Sequence, residues 1–124
     1  MVKVTWEETS LPAIDILSPA YKSNGHVFTS GCVGNRADGT YGETVEEQTE
    51  LAITNLKAVL KASGSSLDRV LKVLLFVRNP EDAPKVNAVY ATHFTHKPAR
   101  SCVVVLFPGP QILVELECVA EYDE

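Results

Sequence analysis

Three charged side chains stand on two runs that otherwise look built for burial. In the segment KPARSCVVVLFPGPQILVELECVA, residues 97–120, Arg100 opens the first apolar run, and Glu115 and Glu117 interrupt the second. An arginine among strand residues such as Val103 to Phe107 is costly unless an anion meets it. Its planar fork of donors suits two-pronged recognition of a carboxylate or phosphate. Cys102, two residues after Arg100, has no histidine in its motif to generate a thiolate, so it does not read as a nucleophile.

Alternation along a strand puts Arg100, Cys102, Val104 and Leu106 on one face, and Leu113, Glu115, Glu117 and Val119 on one face of the next strand. If Phe107 to Pro110 closes a hairpin, Leu106 pairs with Gln111, Cys102 with Glu115 and Arg100 with Glu117, and the polar groups gather on one face. A slip of one residue would separate them. The plainer alternative is an exposed, weak ion pair between Arg100 and Glu117.

The rest of the chain supplies the elements that would position these groups. VKVTW, residues 2–6, alternates like a short strand. SLPAIDILSPA is an irregular segment punctuated by Pro12 and Pro19. Asn24-Gly25 is a two-residue hairpin signal, and His26 to Ser30 is the returning strand, ended by Gly31. Thr44-Val-Glu-Glu47 has the capping-box pattern, and Leu51, Ala52, Leu56, Val59 and Leu60 keep helical spacing up to Gly64. That predicts a helix over 44–63. VLKVLLFV, 70–77, is the apolar run of a strand covered on both faces. A second helix follows NPEDAP, with Asp82 as N-cap, Pro84 in the first turn, and Val86, Val89, Tyr90 and Phe94 on its apolar face.

The order β, β, β, α, β, α, β, β predicts a single α+β domain over 1–124. Its six-stranded, mixed and mostly antiparallel sheet carries both helices on one face. The other face needs cover, and a second copy of the chain is the natural source.

The chain has 124 residues, of which 45% are hydrophobic, enough for one core. Its net charge of −5 argues against nucleic acid as a partner. No apolar stretch approaches a membrane span. The first residues lack the apolar core of a secretion signal and carry Glu7, Glu8 and Asp15, which places the chain in the cytoplasm. Three cysteines without framework spacing read as reduced thiols, and no Cys/His cluster has zinc spacing. His93 and His96 lack a third ligand and read as serving the helix dipole or packing. SGSS at 63–66 is a turn, because no lysine follows as a phosphate loop requires. Tyr41 and Tyr90 read as packing residues, and Cys118 as a core residue.

The segments VFTSG (27–31), NLKAVLKASGSSLDRVLKV (55–73), VNAVYATHF (86–94), HKPARSCV (96–103) and VELECVA (114–120) resemble, in order and spacing, the reactive-intermediate deaminase family, called Rid or YjgF and formerly endoribonuclease L-PSP. The resemblance implies a chorismate-mutase-like fold and a barrel-cored homotrimer with clefts between subunits. It implies hydrolysis of enamines and imines such as 2-aminoacrylate to 2-keto acids and ammonia, with no cofactor or metal. Carried over by motif, Arg100 would clamp the substrate carboxylate and Glu115 would position or activate the water. Cys102, Asn87, Ser30 and Gly31 would line the cleft. The family's usual pocket tyrosine falls on Leu17, and Cys32-Val33-Gly34 replaces its Gln-Ile-Pro. These changes touch substrate preference. They keep open a non-catalytic, carboxylate-binding or chaperone-like trimer, beside the ribonuclease of the older name.

Overall fold

A computed structural model describes residues 1–124. The elements are β1 (Val2–Val4), α1 (Trp6–Thr9), β2 (Ala20–Ser23), β3 (His26–Thr29), β4 (Cys32–Val33), α2 (Val45–Ala62), β5 (Val70–Val77), α3 (Ala83–His93), β6 (Ala99–Val104) and β7 (Val114–Glu121). One mixed sheet runs β1-β2-β3-β7-β5-β6, with β4 pairing onto β7 as a short seventh strand. Only β5 and β6 are parallel.

Local signals explain most of these elements. Asn24 and Gly25 both take positive φ, 51° and 78°, in the turn joining β2 to β3, as a type I′ hairpin requires. Thr44 caps α2 by accepting from the Glu47 amide at 3.1 Å. The reciprocal arm of the expected capping box is absent, because the Glu47 carboxylate binds the Glu43 amide and Arg36 instead. The complete capping box belongs to α1, where Thr5 and Glu8 exchange side-chain and backbone bonds. Asp82 stands at the N-cap of α3 but makes no capping bond; a 3-10 turn over Pro80–Asp82 leads into the helix instead.

Both long helices cover one face of the sheet. Ala52, Ile53, Leu56, Val59 and Leu60 of α2 and Val86, Tyr90 and Phe94 of α3 bury against Val73, Leu75, Val77, Val114, Leu116, Cys118 and Ala120. Each buried Val, Leu, Ile or Phe among them contributes about 1.5–3 kcal/mol by leaving water. The opposite face is open in the single chain. Tyr21, Phe28 and Val103 stay exposed there and Leu74 and Phe76 are only half-buried, so β5 is fully covered on one face alone.

The hairpin expected between the last two strands does not form. β5 lies between them, pairing Val73 with Arg100 and Leu75 with Cys102 on β6, and Leu74 with Glu117 and Phe76 with Glu115 on β7. The α3 crossover returns the chain to the same end of the sheet, so β6 must run parallel to β5. β7 then takes the inner position, where Val114, Leu116, Cys118 and Ala120 are all buried. Its long approach, Val105 to Leu113, is held by two polar anchors. Arg78 donates from Nε to the Ile112 carbonyl at 2.8 Å and from Nη2 to the Gly109 carbonyl at 2.6 Å. Buried Gln48 donates to the Gly42 and Gln111 carbonyls at 3.0 and 2.8 Å and accepts from the Leu113 amide at 2.9 Å.

Candidate functional site

Paired residues in a sheet share a face, so the register decides which polar groups can meet. Arg100 and Cys102 align with Val73 and Leu75 and belong to the helix-covered face, at the open edge that β6 forms. Glu115 and Glu117 align with Phe76 and Leu74 and belong to the opposite, open face. The expectation that Cys102 sits beside Glu115 and Arg100 beside Glu117 is therefore wrong for a single chain. The sequence places these residues on strands correctly but assigns the wrong neighbours.

The first group is built on β6 and α3. The Arg100 guanidinium lies over the Tyr90 ring, 4.7 Å from its centroid. Tyr90 in turn stacks on Phe94, centroids 4.4 Å apart at 22°. Tyr90, Phe94, Lys97, Pro98 and Arg100 line a recess of about 190 Å³. The ion pairs of the chain are Arg36–Glu47, Arg69–Asp123 and His93–Glu50, so Arg100 faces this recess without a carboxylate of its own. Cys102 is exposed two residues further along, and Asn87 is exposed on α3, one turn before Tyr90.

The second group is built where β3 ends. The Ser30 amide donates to the Pro19 carbonyl at 2.9 Å and its hydroxyl to the Ser18 carbonyl at 2.6 Å, tying down the irregular segment. Pairing of Cys32 with Leu116 and Val33 with Glu115 brings Gly31 against the Glu115 carboxylate. A Cβ at residue 31 would lie 2.7 Å from Glu115 Cδ, so only glycine leaves that side chain its position. Partial burial, and then the neighbouring Glu117, push the Glu115 carboxyl above the ordinary carboxylate range. A glutamate raised in this way is suited to proton transfer nearer neutrality.

Burial pushes the Cys32 thiol up to about 12, with Cys118 and Glu115 adding to the effect. Cys118, also mainly through burial, rises to about 12. Both are inert as nucleophiles, and Cys102 is the exposed thiol. The histidines stand apart: His93 meets Glu50 at 2.9 Å and His96 meets the Val70 carbonyl at 2.8 Å. Leu17 leaves its side chain exposed, while the Trp6 indole donates to its carbonyl at 2.9 Å. Tyr90 is the packing residue the sequence suggests, buried in the core against Phe94, and its ring also meets Arg100.

The family model described as endoribonuclease L-PSP matches residues 7–122. Among curated proteins, protein HMF1 of Saccharomyces cerevisiae is 40% identical over 115 residues, covering 91% of this chain and 89% of the relative. The chain belongs to the Rid/YjgF/L-PSP family. The RutC family protein PH0854 of Pyrococcus horikoshii is 34% identical, covering 97% of this chain and 98% of the relative. Among solved structures, YjgF of E. coli superposes with a TM-score of 0.89 at 26% identity, covering 99% of this chain and 100% of that one. E. coli TdcF with bound serine gives 0.89 at 27%, covering 98% and 100%. A further S. cerevisiae relative, MMF1, 38% identical and covering 88% of this chain and 77% of its own, is named as mitochondrial. No helix here is long and apolar enough to cross a membrane.

Proposed function

We propose that this protein is a cytoplasmic enamine and imine deaminase, hydrolysing 2-aminoacrylate-type intermediates to 2-keto acids and ammonia. The observation that carries the reading is an arginine with no intramolecular carboxylate, at a sheet edge, in a family one of whose members is described with bound serine. Serine presents the same α-carboxylate as a three-carbon imine. Arg100 takes that carboxylate through two parallel charge-assisted hydrogen bonds.

Glu115 orients the water. The enamine first tautomerises to the imine. The water oxygen then bonds to the carbon of the protonated imine while Glu115 takes one of its protons, and the C=N electron pair passes to nitrogen, giving a carbinolamine. Return of the proton from Glu115 to nitrogen lets the C–N bond break with its electron pair. Ammonia leaves, the hydroxyl proton passes to the Glu115 carboxylate and the carbonyl closes. General base help of this kind contributes about 10²- to 10⁴-fold.

The strands of Arg100 and Glu115 are two spacings apart, about 10 Å, and their β5 partners Val73 and Phe76 are about a further 10 Å apart along the strand, so the two residues lie about 14 Å apart, on opposite faces. A three- or four-carbon substrate cannot bridge them within one chain. The working site therefore combines Arg100, Cys102 and Asn87 of one copy with Glu115, Ser30 and Gly31 of the next, in the homotrimer. The open face and the unpaired edge of β6 supply the surface for that assembly; Phe28 there is 49% exposed and Val104 54%. The test couples a serine or threonine dehydratase to this protein and follows 2-keto acid release. Wild type should accelerate it, and Arg100→Ala and Glu115→Ala should not. A well-folded wild type that accelerates nothing would refute the reading.

A further inference from the structure

We infer that the ring face of Tyr90, and not its hydroxyl, is the positioning element for the Arg100 guanidinium, and so sets how tightly the site holds a substrate carboxylate. The inference rests on the reading of Arg100 as the carboxylate clamp.

Four observations carry it. Arg100 has no acidic partner in the chain to fix its orientation. The group that does meet it is the Tyr90 ring, at 4.7 Å from the guanidinium carbon, within the range of a cation–π contact. That ring is itself immobile, because Tyr90 is 8% exposed and stacks on the fully buried Phe94. The Tyr90 hydroxyl is buried without any hydrogen-bond partner, so it makes no hydrogen bond to Arg100.

The geometry turns a flexible side chain into an oriented one. Stacking occupies a face of the guanidinium and leaves its in-plane donors free. Those donors are what a carboxylate needs for two-pronged binding. Without the ring, Arg100 at an exposed edge samples several rotamers and must be ordered by the substrate itself, at the expense of affinity. Phe94 beneath Tyr90 extends the stack into the core and keeps the ring from tilting.

The test uses the full-length chain with Tyr90→Phe, Tyr90→Leu and Arg100→Ala. Three quantities are read: binding of pyruvate, a non-reacting carboxylate, by NMR titration; kcat and KM in the coupled 2-aminoacrylate assay; and melting temperature with oligomeric state. Tyr90→Leu should weaken pyruvate binding and raise KM by roughly threefold to thirtyfold, with kcat within about twofold, the signature of lost uniform binding. Tyr90→Phe keeps the face and should rescue affinity, melting no lower than wild type, since the missing hydroxyl bonds nothing.

A Tyr90→Leu chain that is folded, assembled and binds pyruvate like wild type overturns the inference. So does a Tyr90→Phe chain as impaired as Tyr90→Leu, because the hydroxyl would then be the working part. Pyruvate binding unchanged by Arg100→Ala instead sinks the clamp reading beneath it, and this inference falls with that reading.

Discussion

Gly31→Ala should cripple turnover while leaving the fold intact. The added methyl would stand 2.7 Å from Glu115 Cδ and 3.1 Å from Cγ, where ordinary contact begins at 3.4 Å. Glu115 Oε2 would lie closer still, so the carboxyl must retreat by more than about 0.7 Å or swing to another rotamer. The obstruction is the far end of a flexible side chain and Gly31 has no positive φ, so the backbone need not move. Misplacing a reacting group on the ångström scale costs about 10²-fold in rate. In the coupled keto-acid assay, kcat should fall by roughly that factor. KM should change little, because the proposed carboxylate clamp, Arg100, is in the other group of residues. The double variant Gly31→Ala/Glu115→Ala should be no slower than Glu115→Ala, since the methyl acts only through that carboxyl. A Gly31→Ala enzyme with wild-type kcat, or a double variant with independent, multiplying losses, would refute the reasoning.

Gln48→Ala removes a buried hydrogen bond to the Gly42 carbonyl and two part-buried ones to Gln111 and Leu113 on the approach to β7. It should destabilise the protein by on the order of 3 kcal/mol, read as a lower urea midpoint with an unchanged slope. The raised pKa of Glu115 has a definite sign. The folded state favours its proton, so this group supports folding below its unfolded pKa, and that support is lost as pH rises through the folded pKa. Glu115→Gln, though inactive, should therefore melt higher than wild type at neutral pH, with the difference closing as pH falls below the ordinary carboxylate range. A gain that persists into acid would contradict this. The wild-type kcat/KM profile should in turn show its acid limb above the usual glutamate value. Phe28→Lys, on the open face, should leave monomer folding intact by circular dichroism. It should shift the assembly toward monomer in sedimentation and lose activity in proportion.

Local structure was legible where one short signal decided it. Asn24-Gly25 fixed its hairpin, and the apolar spacing from Leu51 to Leu60 fixed α2 against Gly64, which takes φ of 76° just past the helix end. Thr5-Trp-Glu-Glu8 carried its own capping box, although the alternation of VKVTW masked it as a strand. Strand order was not legible. The hydrophobic pattern of 99–121 is the same whether β6 and β7 pair or β5 separates them. The deciding contacts come from Arg78 and Gln48, polar side chains remote in sequence with no periodic signature. The same gap limited the site. Arg100, Cys102 and Glu115 could be placed on strands, but their faces depend on which strand lies between. Once β5 intervenes, Arg100 turns toward Tyr90 and Glu115 toward Gly31.

The most direct test of a site shared between copies is subunit complementation. Arg100→Ala and Glu115→Ala chains, each inactive alone, would be unfolded together, refolded at equal amounts and assayed for 2-keto acid release from 2-aminoacrylate. If one copy supplies Arg100 and its neighbour Glu115 around a closed ring, random mixing leaves about a quarter of the sites with both. The mixture should then regain about that fraction of wild-type activity. A mixture that forms mixed assemblies yet stays as inactive as its parents would contradict the shared site.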